Sequence, residues 1–450
     1  MKKDTKQILV IFALILTLAI VCFTVVGCGD DPAETSGNIF TLPTASDPVQ
    51  SETSQSSTET SATSHTDPII PSGNYVNPLT GVPTAVNLSY TRPVAIVVDN
   101  YDAALTHQSG LGQADILYEG MVAPGITRFL AVIADYTNIA PICNVRSGRD
   151  YHIYSSFNHN AILVSHGGSV TRTPDGSLFV TLAEKLYGNY IAKNGLVYYG
   201  FLNTAQETRF YQLDNGITYG TIRFYSDADY SKLYGPANLA KVQASIRSGY
   251  TGRSDLKYDT VITASALRAT LSGGYLTNVP GFSLGGNPSG SLKFVPYGSK
   301  APMTDAATAN DVFVQFSVPG YAPKTVEYLY SSVDGKYTRY QNGTAHVDAE
   351  TGERLSFTNL ITLSVPCNYY HGTTEDPDLV DVRVIGYGEG YYFTGGKAAR
   401  ITWSKISETA PLVLRDASGN ELKLTPGKTC ISYVNSSDAS AVSFTTVTLY

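Results

Sequence analysis

Nine side chains able to bind or transfer protons stand out between residues 99 and 166 of a chain in which only 15% of residues are charged. They are Asp99, Asn100, Gln108, Asp115, Glu119, Arg128, Arg146, Arg149 and His166, with Ser169 just beyond. An arginine withdrawn from water without a partner costs several kcal/mol, so any of the three that is buried must pair. Pairing with Asp99, Asp115, Glu119 and Asp150 would make a scaffold. A guanidinium fork left open would instead take an anion or a sugar. Arg146 and Arg149 flank an expected helix start, whose amides would add to an anion site. A looser set follows later: Arg339, His346, Asp348, Asn359, Trp403 and Lys405. His346 and Asp348 are two apart, so on an extended strand they share a face. A hydrogen bond between them would hold a general base or brace a hairpin, and no nucleophile is placed to complete a triad.

Several motif fragments fail on context. His166-Gly-Gly168 is the kind of stretch that builds an esterase oxyanion hole, but the chain has no Gly-x-Ser-x-Gly elbow to go with it. Ser254-Asp-Leu-Lys257 and Ser418-Gly-Asn420 lack a correctly spaced Lys-Thr-Gly. Gly427-Lys-Thr429 lacks the first glycine of a phosphate loop. No His/Cys/carboxylate spacing suits a metal, and no cofactor is implied. The net charge of −7 has no block of Lys or Arg, which argues against nucleic acid.

The elements that must position these groups are β-rich. Val94–Val98, Phe129–Ala134 and Ala161–Val164 are continuous apolar runs, as in strands covered on both faces. Arg149 to Asn158 reads as a short helix with Ser147 as N-cap, and Asn238–Arg247 and Ser265–Leu271 as further helices. Beyond Val312 short alternating segments take over. Val326–Tyr330 and Lys336–Tyr340 flank a Val-Asp-Gly turn as a hairpin. These patterns imply a mixed α/β (α+β) protein: an α/β domain over residues 75–237, then a β-dominated domain over 238–450. The 32 tyrosines against a single tryptophan suit β structure, and also glycan-binding surfaces.

The N-terminus reads as an address. Lys2, Lys3 and Lys6 precede an apolar run from Ile8 to Val26, closed by Val25-Val-Gly-Cys28. That reads as a signal peptide whose end resembles a bacterial lipobox, over residues 1–28, with Cys28 to carry a lipid such as palmitate; the alternative is an uncleaved anchor, since the apolar run is just long enough to span a bilayer. Residues 29–74 are rich in Ser, Thr, Pro and acid, and cannot bury enough surface to fold. They form a tether, with a reach on the order of 35–40 Å as a flexible coil. The remainder is expected outside the cytoplasm, on the outer face of the membrane. Of five cysteines, Cys143, Cys367 and Cys430 are left for the folded part, enough for one disulfide at most.

Asn77-Pro-Leu-Thr-Gly81, Arg92-Pro-Val-Ala95, Gln108-Ser-Gly-Leu111, Tyr118-Glu119, Gly125-Ile-Thr-Arg128, Val145-Arg-Ser-Gly-Arg149 and His166-Gly-Gly-Ser169 resemble, in order and spacing, the YerB-like lipoprotein family. So do Tyr337-Thr-Arg339, His346 with Asp348, Asn359, Trp403 with Lys405, and Leu424-Thr-Pro-Gly-Lys428. The resemblance implies a two-domain lipoprotein without an established activity. It departs at Cys143-Asn144, where the family has Gly-Pro, at Gly235-Pro-Ala-Asn238, where a histidine is missing, and at Val170. Two functions follow as expectations. One is a non-catalytic module binding a wall glycan or a membrane-bound wall-synthesis protein. The other is an envelope-polymer hydrolase or transferase using the first-domain Asp/Glu/Arg/His cluster. Oligomeric state stays open.

Overall fold

In a computed structural model of the protein, residues 73–105, 108–165, 291–303, 306–349, 351–371 and 378–445 are described, with short strands between 170 and 262 and Leu267. His166, Ser169, the leader, the tether and the helix expected at 238–247 lie outside these residues, as does 265–271 apart from Leu267.

The elements that matter here are β1 (Val94–Asn100), β2 (Ile116–Ala123), β3 (Ile126–Ile133), α1 (Asp150–Phe157) and β4 (Ile162–Ser165). After them come β5 (Asp311–Phe316), β6 (Lys324–Ser331), β7 (Lys336–Gln341), β8 (Asn359–Val365), β9 (Gly386–Thr394), β10 (Lys397–Lys405), β11 (Thr429–Asn435) and β12 (Val442–Thr445). One mixed sheet of eleven described strands carries the order Phe201–Asn203, β4, β1, β3, β2, β11, β8, β9, β10 and Ala307–Thr308, with Val413–Arg415 beside β10. A second sheet of six runs Thr344–Ala345, β7, β6, β5, β12, with Ser356–Phe357 beside β7.

The three apolar runs form β1, β3 and β4, and every residue of β1 is buried. The expected helix is α1, but it starts one residue after Arg149, which takes the N-cap position in place of Ser147. His152 Nδ1 accepts from the Arg149 amide at 2.9 Å, which satisfies a donor that Ser147 does not reach. The hairpin is β6–β7, in register from Ser331 opposite Lys336 to Val326 opposite Gln341. Its alternating burial suits a sheet with one face packed.

The first half departs from the α/β expectation: strands dominate throughout, and α1 is its one α-helix of more than a single residue among the described residues. The reason lies in the pairing. Continuous apolar runs report burial on both faces, not βαβ crossovers. Here β1, β3 and β2 pair antiparallel, and β2 gains its parallel neighbour from β11, far along the chain.

Strand parity then sorts the side chains. Asn100 faces Thr127 and Glu119 faces Phe129 on one side, while Asp99 faces Arg128 and Gly120 lies beside Arg128 on the other. The six-stranded sheet covers the first side, where Tyr328 meets Cys430 at 3.3 Å. The second side takes α1, where Tyr151 donates to the Gly120 carbonyl at 2.8 Å. A side chain on Gly120 would press on that ring, with a Cβ 3.0 Å from it. Tyr118 stacks on Tyr433 on the same side. Cys143, Cys367 and Cys430 are all free thiols. Among the described residues no helix is long and apolar enough to cross a membrane.

Candidate functional site

The two residue sets singled out in the sequence turn out to share a buried network. Glu119 of β2 and Arg339 of β7 are both wholly buried, and Arg339 Nη2 lies 2.9 Å from Oε2 and 3.0 Å from Oε1. Asn100 Nδ2 and Thr127 Oγ1 each donate to Glu119 Oε1 at 2.7 Å. Arg339 Nη1 donates to Gln341 Oε1 at 2.9 Å and to His346 Nδ1. His346 Nε2 then donates to Gln108 Oε1, and Gln108 Nε2 to the Asp99 carbonyl. The Arg339 guanidinium also sits 5.1 Å over the Phe129 ring.

Electrostatics follow from this geometry. Burial works against the Arg339 charge, yet the adjacent Glu119 holds it above the ordinary arginine value. Burial, with Arg339 and Lys324 nearby, holds His346 well below the usual histidine range, so the ring is neutral and Nδ1 is free to accept. Lys324 was not legible as a member. It reaches the Asn100 carbonyl and lies 3.2 Å from Asp102, and burial lowers its pKa. Thr127 and Gln341 were missed as well; each stands one strand step or two from a residue that was singled out.

His346 and Asp348 do not pair. The chain is a single bridge there rather than a strand, through Val347 and Arg354, so the two-residue spacing no longer sets a common face. Asp348 Oδ2 instead accepts from the Gly110 amide at 2.5 Å. Asp99, Arg128, Arg146 and Arg149 gather on the opposite side of the sheet, with Asp99 3.2 Å from Arg146. The single cluster read from sequence is therefore split by strand parity.

A third neighbourhood is open. A cleft of about 770 Å³ has walls from Gln108, Gly110 and Asp115 on one side and Lys336, His346, Asp348, Arg354 and Lys428 on the other. Asp115 stands at the start of β2, about 16 Å along the strands from Asp99. Its oxygens accept from Asn77 Nδ2 at 3.0 Å and the Ala134 amide at 2.8 Å. Burial pushes its pKa up to about 6, against those bonds and the Lys428 charge. Lys428 donates to the Gly112 carbonyl. Among the described residues no group of three or more His, Cys, Asp or Glu side chains is set to hold a metal.

The remaining candidates stand elsewhere. Asn359 bonds the Thr425 carbonyl and the Tyr392 hydroxyl, each at 2.8 Å. The Trp403 indole donates to the Ser364 carbonyl at 3.2 Å. Lys405 Nζ reaches Asn158 Oδ1 at 3.1 Å and the Ala410 carbonyl.

Two family models match the chain: the N-terminal domain of DUF3048, a protein of unknown function, over residues 79–177, and its C-terminal domain over 314–431. The protein named "Putative lipoprotein YerB" of Bacillus subtilis (strain 168) is 26% identical over 371 residues, 81% of this chain and 88% of that one. The chain is therefore similar to YerB-like lipoproteins in both matched segments. A crystal structure of the YerB protein from Bacillus subtilis shares the fold, with a TM-score of 0.56 at 22% identity over 83% of this chain and 100% of that one. The two family domains meet in this chain on the β2–β11 ladder and on the Glu119–Arg339 pair.

Proposed function

We propose that this YerB-like chain is a lipid-anchored, extracytoplasmic binding module whose cleft takes a polar, glycan-type component of the cell envelope. The carrying observation is the cleft itself, of about 770 Å³, lined by amides, hydroxyls and charges from both family domains. Polar groups of this kind, with Tyr297 at the rim, suit a hydroxyl-rich ligand. The Cys28 lipid site and the tether to residue 74 would hold that cleft at the membrane's outer face. Wall glycan is the preferred ligand, and a membrane-bound wall-synthesis protein is the other envelope partner.

The hydrolase or transferase alternative needs a carboxylate that meets substrate. Glu119 has no exposure, and its oxygens are taken by Arg339, Asn100 and Thr127. Asp115 borders the cleft, but both its oxygens are held in place. Binding without turnover is therefore the better supported reading.

Co-sedimentation of the full-length chain with purified wall sacculi tests it. The parent is expected in the pellet. The combined variant Tyr297→Ala, Lys336→Ala and Arg354→Ala is expected in the supernatant, with a Tm within about 2 °C of the parent, because all three side chains are exposed. A parent that stays soluble overturns the glycan reading. A variant that pellets like the parent overturns the cleft as its site.

A further inference from the structure

The side of the central sheet turned away from Glu119 and Arg339 gathers three arginines around the start of α1. Asp99 of β1 and Arg128 of β3 are direct cross-strand neighbours. Arg146 and Arg149 enter from the segment leading into α1. Arg146 Nε pairs with Asp99 Oδ2 at 3.2 Å, and Arg128 Nη1 donates to the Ser147 carbonyl at 2.5 Å. Arg149 is 7% exposed, and its Nη1 reaches the carbonyl of Gly148 at 3.1 Å. Arg128 and Arg146 lie near enough to oppose its charge, while Asp150 supports it.

Arg149 and His152 each carry a donor without an acceptor. Arg149 Nε is buried and unsatisfied. His152 is wholly buried, and burial beside Arg128 and Arg149 keeps its ring neutral. Its Nδ1 accepts from the Arg149 amide, so the ring proton resides on Nε2. That Nε2 has no partner either. The two orphaned donors occupy the N-cap and third positions of α1, where the helix dipole already favours negative charge. Burying donors without acceptors is costly, more so when they are charged. An acceptor with several oxygens would answer both donors and the Arg149 charge together.

We propose that Arg128, Arg146, Arg149 and His152 form a binding site for a tetrahedral oxyanion, either phosphate or a phosphate monoester, at the N-terminus of α1. The class follows from the donors: they come from a strand, a loop and a helix, and so surround a ligand rather than match one planar carboxylate. The site lies across the sheet from the cleft and shares no lining residue with it.

Calorimetry and thermal shift on the full-length chain, with inorganic phosphate, glycerol 3-phosphate and acetate as separate probes, decide the matter. Phosphate is expected to bind and raise Tm, with acetate at least about tenfold weaker. Glycerol 3-phosphate binding at least as tightly as phosphate assigns a monoester, and binding of phosphate alone assigns the free ion. Arg149→Gln and His152→Phe should each weaken phosphate binding about tenfold or more. In phosphate-free buffer Arg149→Gln should melt no lower than the parent, since it removes a charge that Arg128 and Arg146 oppose; a marked drop in Tm would identify a structural pair and overturn the site. No response to phosphate at roughly 10 mM, equal response to acetate, or unchanged binding in both variants would overturn it too. The Tyr297/Lys336/Arg354 variant should bind phosphate as the parent does, which keeps this outcome separate from that of the cleft.

Discussion

Glu119 and Arg339, 220 residues apart in sequence, meet with one guanidinium nitrogen within 3.0 Å of both carboxylate oxygens and with neither side chain exposed. A pair so placed joins the two family domains with a charge that neither can bury alone. Its net contribution is another matter, because desolvating both ions offsets much of their attraction.

Breaking the pair on one side should therefore cost far more than removing it. Arg339→Met is expected to destabilise by about 3–5 kcal/mol, since Glu119 loses its ion-pair partner and keeps Asn100 and Thr127 as hydrogen-bond donors, with Lys324 farther off. Glu119→Leu combined with Arg339→Met should recover much of that loss. Urea unfolding of the two single variants and the double closes the cycle. Additive losses would mean that the two side chains do not interact.

Acid should weaken the fold through histidines that are buried neutral. Burial beside Lys405 holds His159 down at about 3, against an ordinary 6.5, while its ring meets the Tyr118 hydroxyl at 2.7 Å. A depressed folded value means the unfolded chain binds the proton first. The contribution is present above pH 6.5 and lost as pH falls toward 3. At pH 5 the loss from His159 alone is about 2 kcal/mol. His152 and His346 act in the same direction. Asp115 opposes them, because its raised value of about 6 stabilises the fold at low pH and that contribution fades as pH rises through 6. His159→Gln should narrow the stability gap between pH 7.5 and pH 5 by about 2 kcal/mol. An unaltered gap in urea unfolding would show that His159 gains its proton without cost.

How much of this was legible depends on the distance over which each signal acts. Val94–Val98 announces a doubly covered strand through its own composition, and the span of α1 follows from its local pattern. Once β1 and β3 are strands, alternation alone places Asp99 and Arg128 opposite Asn100 and Thr127. The partner of Glu119 was not legible. It depends on β2 pairing in register with β11, through Glu119 opposite Ser432, and on the second sheet lying over that face. No local residue pattern encodes either. The His346–Asp348 reading failed for a related reason, since it assumed a strand where the chain makes only an isolated bridge.

Gly427 should tolerate no side chain. Its φ of +148° is disfavoured for other residues, and a Cβ there would fall 2.1 Å from Thr358 Oγ1. Gly427→Ala is expected to destabilise by about 3 kcal/mol, through overpacking and backbone strain together. Gly335, in the β6–β7 turn at φ +69°, faces open space. Gly335→Ala should cost only about 1 kcal/mol, from its backbone alone. Comparable losses in the two variants would show that Thr358 gives way. Since Gly427 and Thr358 both line the cleft, Gly427→Ala should also weaken sacculus binding.

Lys405 offers the opposite pH test. Burial lowers its ammonium from 10.5 to about 8, with Glu408 supporting the charge only in part. The native state therefore releases this proton before the unfolded chain does. Its contribution is complete above pH 10.5 and is lost as pH falls through 8. At pH 7 the parent thus carries a charge that weakens the fold by about 2–3 kcal/mol relative to a neutral amine. Lys405→Met removes that term, but leaves the Ala410 carbonyl without its donor; Asn158 Oδ1 keeps the Leu412 amide at 3.1 Å. Comparing the variant with the parent at each pH cancels the titration of every other group. The parent should gain on Lys405→Met by about 2 kcal/mol between pH 7 and pH 10. A difference that stays flat over that range would mean that the ammonium keeps its proton throughout, held by Asn158 and Ala410 more firmly than its burial allows.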